Sequence, residues 1–359
     1  MSFSLLPTEL IVIILKDIAT CEERGLFDLL SAAMVCQTWY AAGVSLISPD
    51  ELIYSVNHTN AQRVYPHRQR LAGLLEESKR LGLVFHRMIH MFRIDLLSFK
   101  ENEKLSVRSP SPVLRLASSC PNIESLEIMY DAQFASMPTL VVDHLQSLAN
   151  AIQCKNIREL VLTNRGSPSR CPCCIGRGWD HLLCDLIERL PLQRLTLHQV
   201  IPSQAVLKRL CRNIELDHLI LYRSIIEMPS RPGRAIATSL TYIPRCLLRR
   251  IRTLEVYENL EHPSAQPPVF RYLYEVADRL ESLECFVFEY LGSLTAETTS
   301  QCMQGLVLLA ERQSGSLRKM VLRNIPGITQ ETLNLLLWHV DCVKVDSKLY
   351  NKHIVEVKS

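Results

Sequence analysis

"LQRLTLH", residues Leu192–His198, carries leucine at its first, fourth and sixth positions and polar side chains everywhere else. Its leucine–threonine–leucine core alternates with the period of two expected of a strand with one buried face. The same seven-residue frame, apolar at positions one, four and six, recurs along the chain. It appears as "IESLEIM" from Ile123, "IRELVLT" from Ile157, "LDHLILY" from Leu216, "IRTLEVY" from Ile251, "LESLECF" from Leu280 and "LRKMVLR" from Leu317. A weaker copy is "VDCVKVD" from Val340, and "MFRIDLL" (Met91–Leu97) has the form of a first strand. Successive starts from Ile123 lie 34, 35, 24, 35, 29, 37 and 23 residues apart.

Helical patterns fill the intervals: Val142–Gln153, Trp179–Leu190, Ser203–Arg212, Thr295–Arg312 and Thr329–Val340. One strand and one helix per 23–37 residues predicts an α/β repeat, an irregular solenoid in which each segment buries the face of the next. A single α/β domain around a parallel sheet has the same alternation and remains the alternative. "KENEKLSVRSPSP" (Lys100–Pro112), "MPSRPGR" (Met228–Arg234) and "EHPSAQPP" (Glu261–Pro268) read as loops or exposed insertions.

The 359 residues are 47% hydrophobic, 21% charged and 6% aromatic, a normal globular balance with enough chain for a sizeable core. A net charge of +3 gives no footprint for nucleic acid or an anionic membrane. The basic "RCLLRRIR" (Arg245–Arg252) reads as an amphipathic segment with a solvated basic face. Thirteen cysteines, an odd number without regular spacing, suit reduced thiols rather than a disulfide frame. "NHT" at Asn57 has the form of a glycosylation sequon that a cytosolic chain would not use.

The N-terminal stretch "LLPTELIVIILKDI" (Leu5–Ile18) has nine large aliphatic residues. It lacks the basic n-region of a secretory signal, and its unbroken apolar run, Leu10–Leu15, is far short of a membrane span. As a helix it places Pro7 and the acidic Glu9 in the first turn. Leu6, Leu10 and Ile14 form a stripe that Ile13 and Ile18 widen, while Ile11, Val12 and Leu15 make the other side apolar as well. Such a helix is covered on every side or is docked by a partner. A second helical pattern, Leu26–Ile47, carries Leu26, Leu30, Ala33 and Met34 on one face, with Val35 and Trp39 at i, i+4 on another.

Together these two segments resemble an F-box. Leu6, Pro7, Glu9, Leu10, Ile14 and Leu15 match its Leu-Pro-x-Glu and aliphatic run; Leu30, Ser31, Val35, Cys36 and Trp39 match its Val-Cys-x-x-Trp helix. The intervening loop, Ala19–Asp28, is slightly long for the family and carries Glu22 and Glu23. The resemblance implies a small helical bundle that binds a Skp-type adaptor, and through it a cullin scaffold. Adaptor contacts would fall on Leu6, Pro7, Glu9, Leu10, Ile14, Val35, Cys36 and Trp39. The "L-x-x-L-x-L" frame likewise resembles degenerate leucine-rich repeats. Their usual Asn or Cys is mostly missing, although Asn164 and Asn324 follow the last apolar residue by two.

Catalytic chemistry finds little support. "RCPCCIGRGWDHLLC" offers Cys171, Cys174, His181 and Cys184 as four ligands for tetrahedral zinc, with Cys173 an extra thiol. A Cys-rich loop is the plainer reading. "GRGWDH" (Gly176–His181) lacks the third glycine of a dinucleotide loop, and His86–Arg87–Met88–Ile89–His90 lacks the zincin glutamate. No nucleophile elbow or phosphate loop occurs.

The expected organisation is an F-box at residues 1–48, a helical connecting region with a possible first repeat at 49–112, and degenerate leucine-rich repeats at 113–359. The resemblance implies a non-catalytic, cofactor-free substrate-recognition subunit of an SCF-type cullin–RING ubiquitin ligase, cytoplasmic or nuclear. It would have an unidentified protein target and no nucleic-acid or membrane partner. A ligase-independent F-box scaffold is the alternative. Candidates for the target surface are Glu127, Arg158, Arg194, His218, Arg252 and Arg318, a basic-leaning set.

Overall fold

The computed structural model describes residues 6–19, 25–46, 54–56, 77–83, 85–87, 90–95, 120–130, 156–164, 177–200, 202–222, 225–226, 237–238, 243–258, 271–290, 296–346 and 348–351. The chain divides into two compact units. One comprises residues 1–128 and 138–157, the other 129–137 and 158–359. The expected loops and insertions at 100–112, 228–234 and 261–268, and the expected helix at 142–153, lie outside the described residues.

The first unit opens with α1 (Thr8–Ala19), α2 (Gly25–Ala33) and α3 (Gln37–Leu46), which pack on one another. Pro7 stands just before α1, and its carbonyl accepts from the N–H groups of Leu10 (3.0 Å) and Ile11 (3.2 Å). Glu9 in the first turn suits the positive end of the helix dipole. Ile11 and Leu15, four apart, face inward with Leu29, Leu30, Ala33 and Ala42.

The helix expected over Leu26–Ile47 is in fact two. The end of α2 tightens, with Met34 N–H reaching both Leu30 and Ser31 carbonyls and Val35 N–H the Ala32 carbonyl. Cys36 then accepts from Tyr40 N–H at 2.8 Å and starts α3. Val35 therefore lies between helices, and no i, i+4 face joins it to Trp39.

Gly43 is what lets α3 approach α2. A Cβ there would lie 2.7 Å from Ala33 Cβ and 3.8 Å from Leu15 Cδ1. Gly43→Ala should cost about 1–3 kcal/mol by overpacking, measured as earlier urea unfolding of the helical signal. Tyr40 on α3 also meets Phe85, their ring centres 5.2 Å apart. Two parallel strands follow, β1 (Tyr54–Val56) and β2 (Met91–Asp95), with Tyr54 opposite Phe92. Next comes β3 (Ser125–Tyr130).

The second unit holds a sheet in which β4 (Glu159–Asn164), β5 (Arg194–His198), β6 (His218–Tyr222), β9 (Thr253–Glu258), β10 (Cys285–Tyr290), β11 (Lys319–Arg323), β12 (Cys342–Val345) and β13 (Lys348–Asn351) lie side by side in that order. All pairs are parallel except the last hairpin. A short antiparallel pair, β7 (Ile225–Ile226) and β8 (Ala237–Thr238), sits in the segment between β6 and β9. The helices between strands are α4 (Arg177–Arg189), α5 (Gln204–Arg212), α6 (Arg245–Leu248), α7 (Arg271–Ala277), α8 (Ala296–Arg312) and α9 (Gln330–His339). Ser203 and Thr329 cap α5 and α9, each side-chain oxygen accepting a backbone N–H three residues on.

The frames stack in register. Leu160, Leu195, Leu219, Leu254, Phe286, Met320 and Val343 form one row across seven strands, and Leu162, Leu197, Leu221, Val256, Phe288, Leu322 and Val345 the next. Almost every member of both rows is fully buried, so the core is a ladder of inward side chains under the sheet. The register corrects one frame in this sheet, and in the first unit the His90 carbonyl, which accepts from Glu124 and Ser125 N–H as Arg158 does from Gln193 and Arg194, moves the frame read from Met91 two residues earlier. Cys285 pairs with Thr253, while Phe286 and Phe288 pair with Leu254 and Val256. The sixth frame therefore starts at Leu283, not Leu280, and reads "LECFVFE". Its neighbours then lie 32 and 34 residues away, close to the commoner spacing.

Side chains far along the sequence satisfy several backbone carbonyls beside the strands and helices. Helix ends leave carbonyls without partners, and buried ones must be satisfied. In the first unit Asn122 donates to the Arg87 carbonyl (2.6 Å) and Asn156 to Pro121 (3.0 Å), in each case 35 residues back. In the second, Asn213 reaches Leu190 (3.1 Å), Arg250 reaches Cys211 (2.8 Å), and Arg279 reaches Ile243. Buried Gln313 spans the carbonyls of Ala277 (3.1 Å) and Leu280 (2.8 Å). Gln313→Ala should cost about 2–4 kcal/mol by stranding two buried acceptors, read as a lowered urea midpoint. Asn324 closes β11 in the left-handed region (φ 55°), which asparagine tolerates. Its side-chain amide donates to Glu289 (3.1 Å), and its N–H to Asp346 Oδ1 (2.9 Å). Among the described residues, no helix is long and apolar enough to cross a membrane.

Candidate functional site

The first candidate surface lies on the helical unit. Because Ile11 and Leu15 turn inward, Leu10, Ile13 and Ile14 form an outward stripe at i, i+3, i+4. Leu10 is 46% exposed, Ile13 62% and Ile14 39%. Val35, on the turn before α3, is 60% exposed. Pro7 and Glu9 are exposed, and Leu6 and Cys36 partly so. Large aliphatics grouped this way on the outside of three short helices are a candidate interaction surface rather than part of the core. Trp39 differs from the others: at 8% exposure it belongs to the core of the three helices. The sequence placed it among the docking residues; the break between α2 and α3 turns it inward instead.

The second candidate is the face of the sheet that carries the frame's third, fifth and seventh positions. The third positions run Glu159, Arg194, His218, Thr253, Cys285, Lys319 and Cys342 across paired strands. Arg194 Nε donates to His218 Nδ1 at 3.2 Å, so Nδ1 carries no proton. The proton is on Nε2, which donates to Glu255 Oε1 at 2.7 Å. Tyr257 hydroxyl donates to the other oxygen, Oε2, at 2.5 Å. Tyr257 stacks on Tyr222 (4.4 Å between centres), and Tyr222 on His198 (5.3 Å). Glu159 lies 3.6 Å from Arg194, and Glu289 3.4 Å from Arg323. The result is a preorganised strip of three stacked rings beside one carboxylate held by two donors, suited to recognition of a polar segment with planar groups.

The His218 hydrogen bond, the Tyr257 hydroxyl and the Arg194 charge hold Glu255 below the usual glutamate range despite partial burial. Burial and the Glu255 charge push both tyrosines up. A lowered folded-state value means that Glu255 contributes fully above the ordinary glutamate range. The contribution is lost as pH falls through the lowered value. Glu255→Gln should therefore cost about 1–2 kcal/mol near neutrality and make stability fall less steeply than in wild type between about pH 5 and pH 3. Urea midpoints measured across that range check this.

The six residues suggested for a target surface separate in the structure. Arg194 and His218 lie within the strip. Glu127 is buried, 8% exposed, at the frame's fifth position, where Thr196, Val287 and Val321 are buried too. A mid-strand side chain there is shielded by its neighbours at positions three and seven. Arg158, Arg252 and Arg318 precede their strands, and their carbonyls accept from the strand that follows, as in Gln193 N–H to Arg158 (2.8 Å). Arg252 and Arg318 line a groove of about 770 Å³ with Asp217, Arg250, Glu281 and Glu284. Its charges are mixed: Arg252 approaches Glu284 at 3.9 Å, and Glu281 holds Arg249 at 2.6 Å and Arg245 at 3.4 Å. The basic run 245–252 is thus spent on carboxylates and helix-end carbonyls, and the surface is less basic than its residue count suggests.

Of the possible zinc ligands, Cys171 and Cys174 lie outside the described residues, as does Cys173. His181 and Cys184 are on α4, and Cys184 is buried. Among the described residues no cluster of three or more His, Cys, Asp or Glu could hold a metal ion. No protein-family model matches the chain, and none of the curated proteins matches it.

Proposed function

We propose that this chain is a non-catalytic substrate-recognition subunit of an SCF-type ubiquitin ligase. On this reading residues 6–46 are an F-box that docks a Skp-type adaptor, and the parallel strands and helices are degenerate leucine-rich repeats that hold a protein target. One observation carries the proposal. The residues that match the family's aliphatic run and its Val-Cys motif include Leu10, Ile14 and Val35, and these stay exposed on three short helices whose core is filled by other residues. An apolar set that the fold does not use supports a docking role. The target would meet the strip around His218, Glu255 and Tyr257. Ubiquitin transfer then depends on proximity, with the target held at high effective concentration beside the ligase's catalytic partners. A cytoplasmic or nuclear location follows from that role.

Co-purification with a Skp-type adaptor and a cullin tests the proposal. A stoichiometric complex supports it, and a chain that ignores the adaptor overturns it. If the complex forms but no protein accumulates when Ile14 and Val35 are changed to aspartate in cells, the ligase-independent scaffold is the better reading.

A further inference from the structure

Two thiols in the second unit are placed for a bond with each other. Cys211 lies in the last turn of α5 and Cys246 in the first turn of α6, and their sulfurs are 2.6 Å apart. That is about half an ångström longer than a covalent S–S bond. Arg250 holds the approach by donating to the carbonyls of Cys211 (2.8 Å) and Leu210 (3.4 Å). Cys246 is exposed and Cys211 half-buried, so an oxidant in solvent meets Cys246 first. Burial and the hydrogen bond with Cys246 push the Cys211 thiol up to about 12. Cys211 is therefore the slower thiol to react with an oxidant by itself.

We propose that Cys211 and Cys246 form a reversible disulfide under peroxide, with Cys246 the sulfur first oxidised and Cys211 the resolving thiol. In the first step Cys246 sulfur attacks one oxygen of hydrogen peroxide. The O–O bond breaks, Cys246 becomes a sulfenic acid, and one water leaves. In the second step Cys211 sulfur attacks Cys246 sulfur. The S–O bond breaks, the Cys211 proton leaves with the hydroxyl as a second water, and the S–S bond closes. Two thiols lose two electrons and peroxide gains them. The bond ties α5 to α6 across a segment that contains β6, β7 and β8. It restrains the unfolded chain over 35 residues and so raises the melting temperature. The inference stands whether or not the chain docks an adaptor.

The test treats the reduced full-length chain with hydrogen peroxide, blocks remaining thiols with N-ethylmaleimide and maps peptides by mass spectrometry. A linked Cys211–Cys246 peptide should appear, about 2 Da lighter than its separate halves, and vanish on treatment with dithiothreitol. The oxidised chain should melt several degrees higher. In Cys211→Ser, Cys246 should persist as a sulfenic acid captured by dimedone; in Cys246→Ser, Cys211 should stay fully alkylated. Should either variant misfold, the wild-type peptide map decides by itself. Cys246 advancing to sulfinic acid in wild type, or pairing with another of the thirteen cysteines, would overturn the proposal.

Discussion

Phe288→Ala should destabilise the second unit by about 3–5 kcal/mol, while Cys285→Ala should cost well under about 1 kcal/mol. Phe288 is fully buried and stacked near Phe286, their ring centres 6.2 Å apart. It fills the row otherwise made by Leu162, Leu197, Leu221, Val256, Leu322 and Val345, so its removal opens a cavity bounded by strands on both sides. Cys285 pairs with Thr253 and Lys319 at the outward third position and is half-buried. The contrast reports which frame the chain uses. If the frame began at Leu280, Cys285 would be inward and Phe288 outward, and Phe288→Ala would cost little. Urea midpoints of the two variants, followed by far-ultraviolet circular dichroism, distinguish the cases.

The second large effect separates docking from folding on the helical unit. Ile14→Asp with Val35→Asp should weaken adaptor binding at least about 100-fold, the loss of two central apolar contacts. Both side chains are exposed, so each substitution should alter stability by no more than about 0.5 kcal/mol. Trp39→Ala should do the opposite first. It empties a buried site and should cost about 3–5 kcal/mol of the three-helix unit. Any binding loss in that variant should track the loss of helical signal. Titration calorimetry with the adaptor, run beside urea unfolding of each variant, gives both numbers. A Trp39 variant that stays folded yet fails to bind would return Trp39 to the docking surface.

The parallel ladder was legible in the sequence because apolar residues at positions one, four and six leave only one face to bury. Seven of the eight frames in the series from Ile123 to Val340 keep their start. The slip at Leu280 arose because "LESLECFVFE" satisfies the frame twice, and only hydrogen-bonded register tells Leu283 from Leu280. Two phenylalanines at the fourth and sixth positions were the available signal. The helical segments that begin at Ser203 and Thr329 were equally readable, since their pattern depends on neighbours three and four residues away.

Long-range pairings were not. The donors are Asn, Arg and Gln, 23 to 40 residues from their acceptors, and nothing local in the sequence marks which carbonyl each one meets. The break after Ala33 has neither glycine nor proline, so the second helical pattern looked continuous, and Trp39 was given the wrong side. The strip on the sheet was half visible: Arg194 and His218 were named, but Glu255, Tyr257, Tyr222 and His198 join them only through strand pairing. Sequence distance hides such a cluster, because each strand contributes one or two residues.

Hydrogen exchange of the full-length chain with and without a purified Skp-type adaptor is the most direct test of the proposed docking. The docking surface inferred above predicts a stoichiometric complex. Peptides covering residues 6–19 and the turn at Val35 should slow by at least about tenfold, while those from β5 to β11 keep their free-state rates. An absence of complex, or protection confined to the sheet with residues 6–19 unchanged, would contradict it.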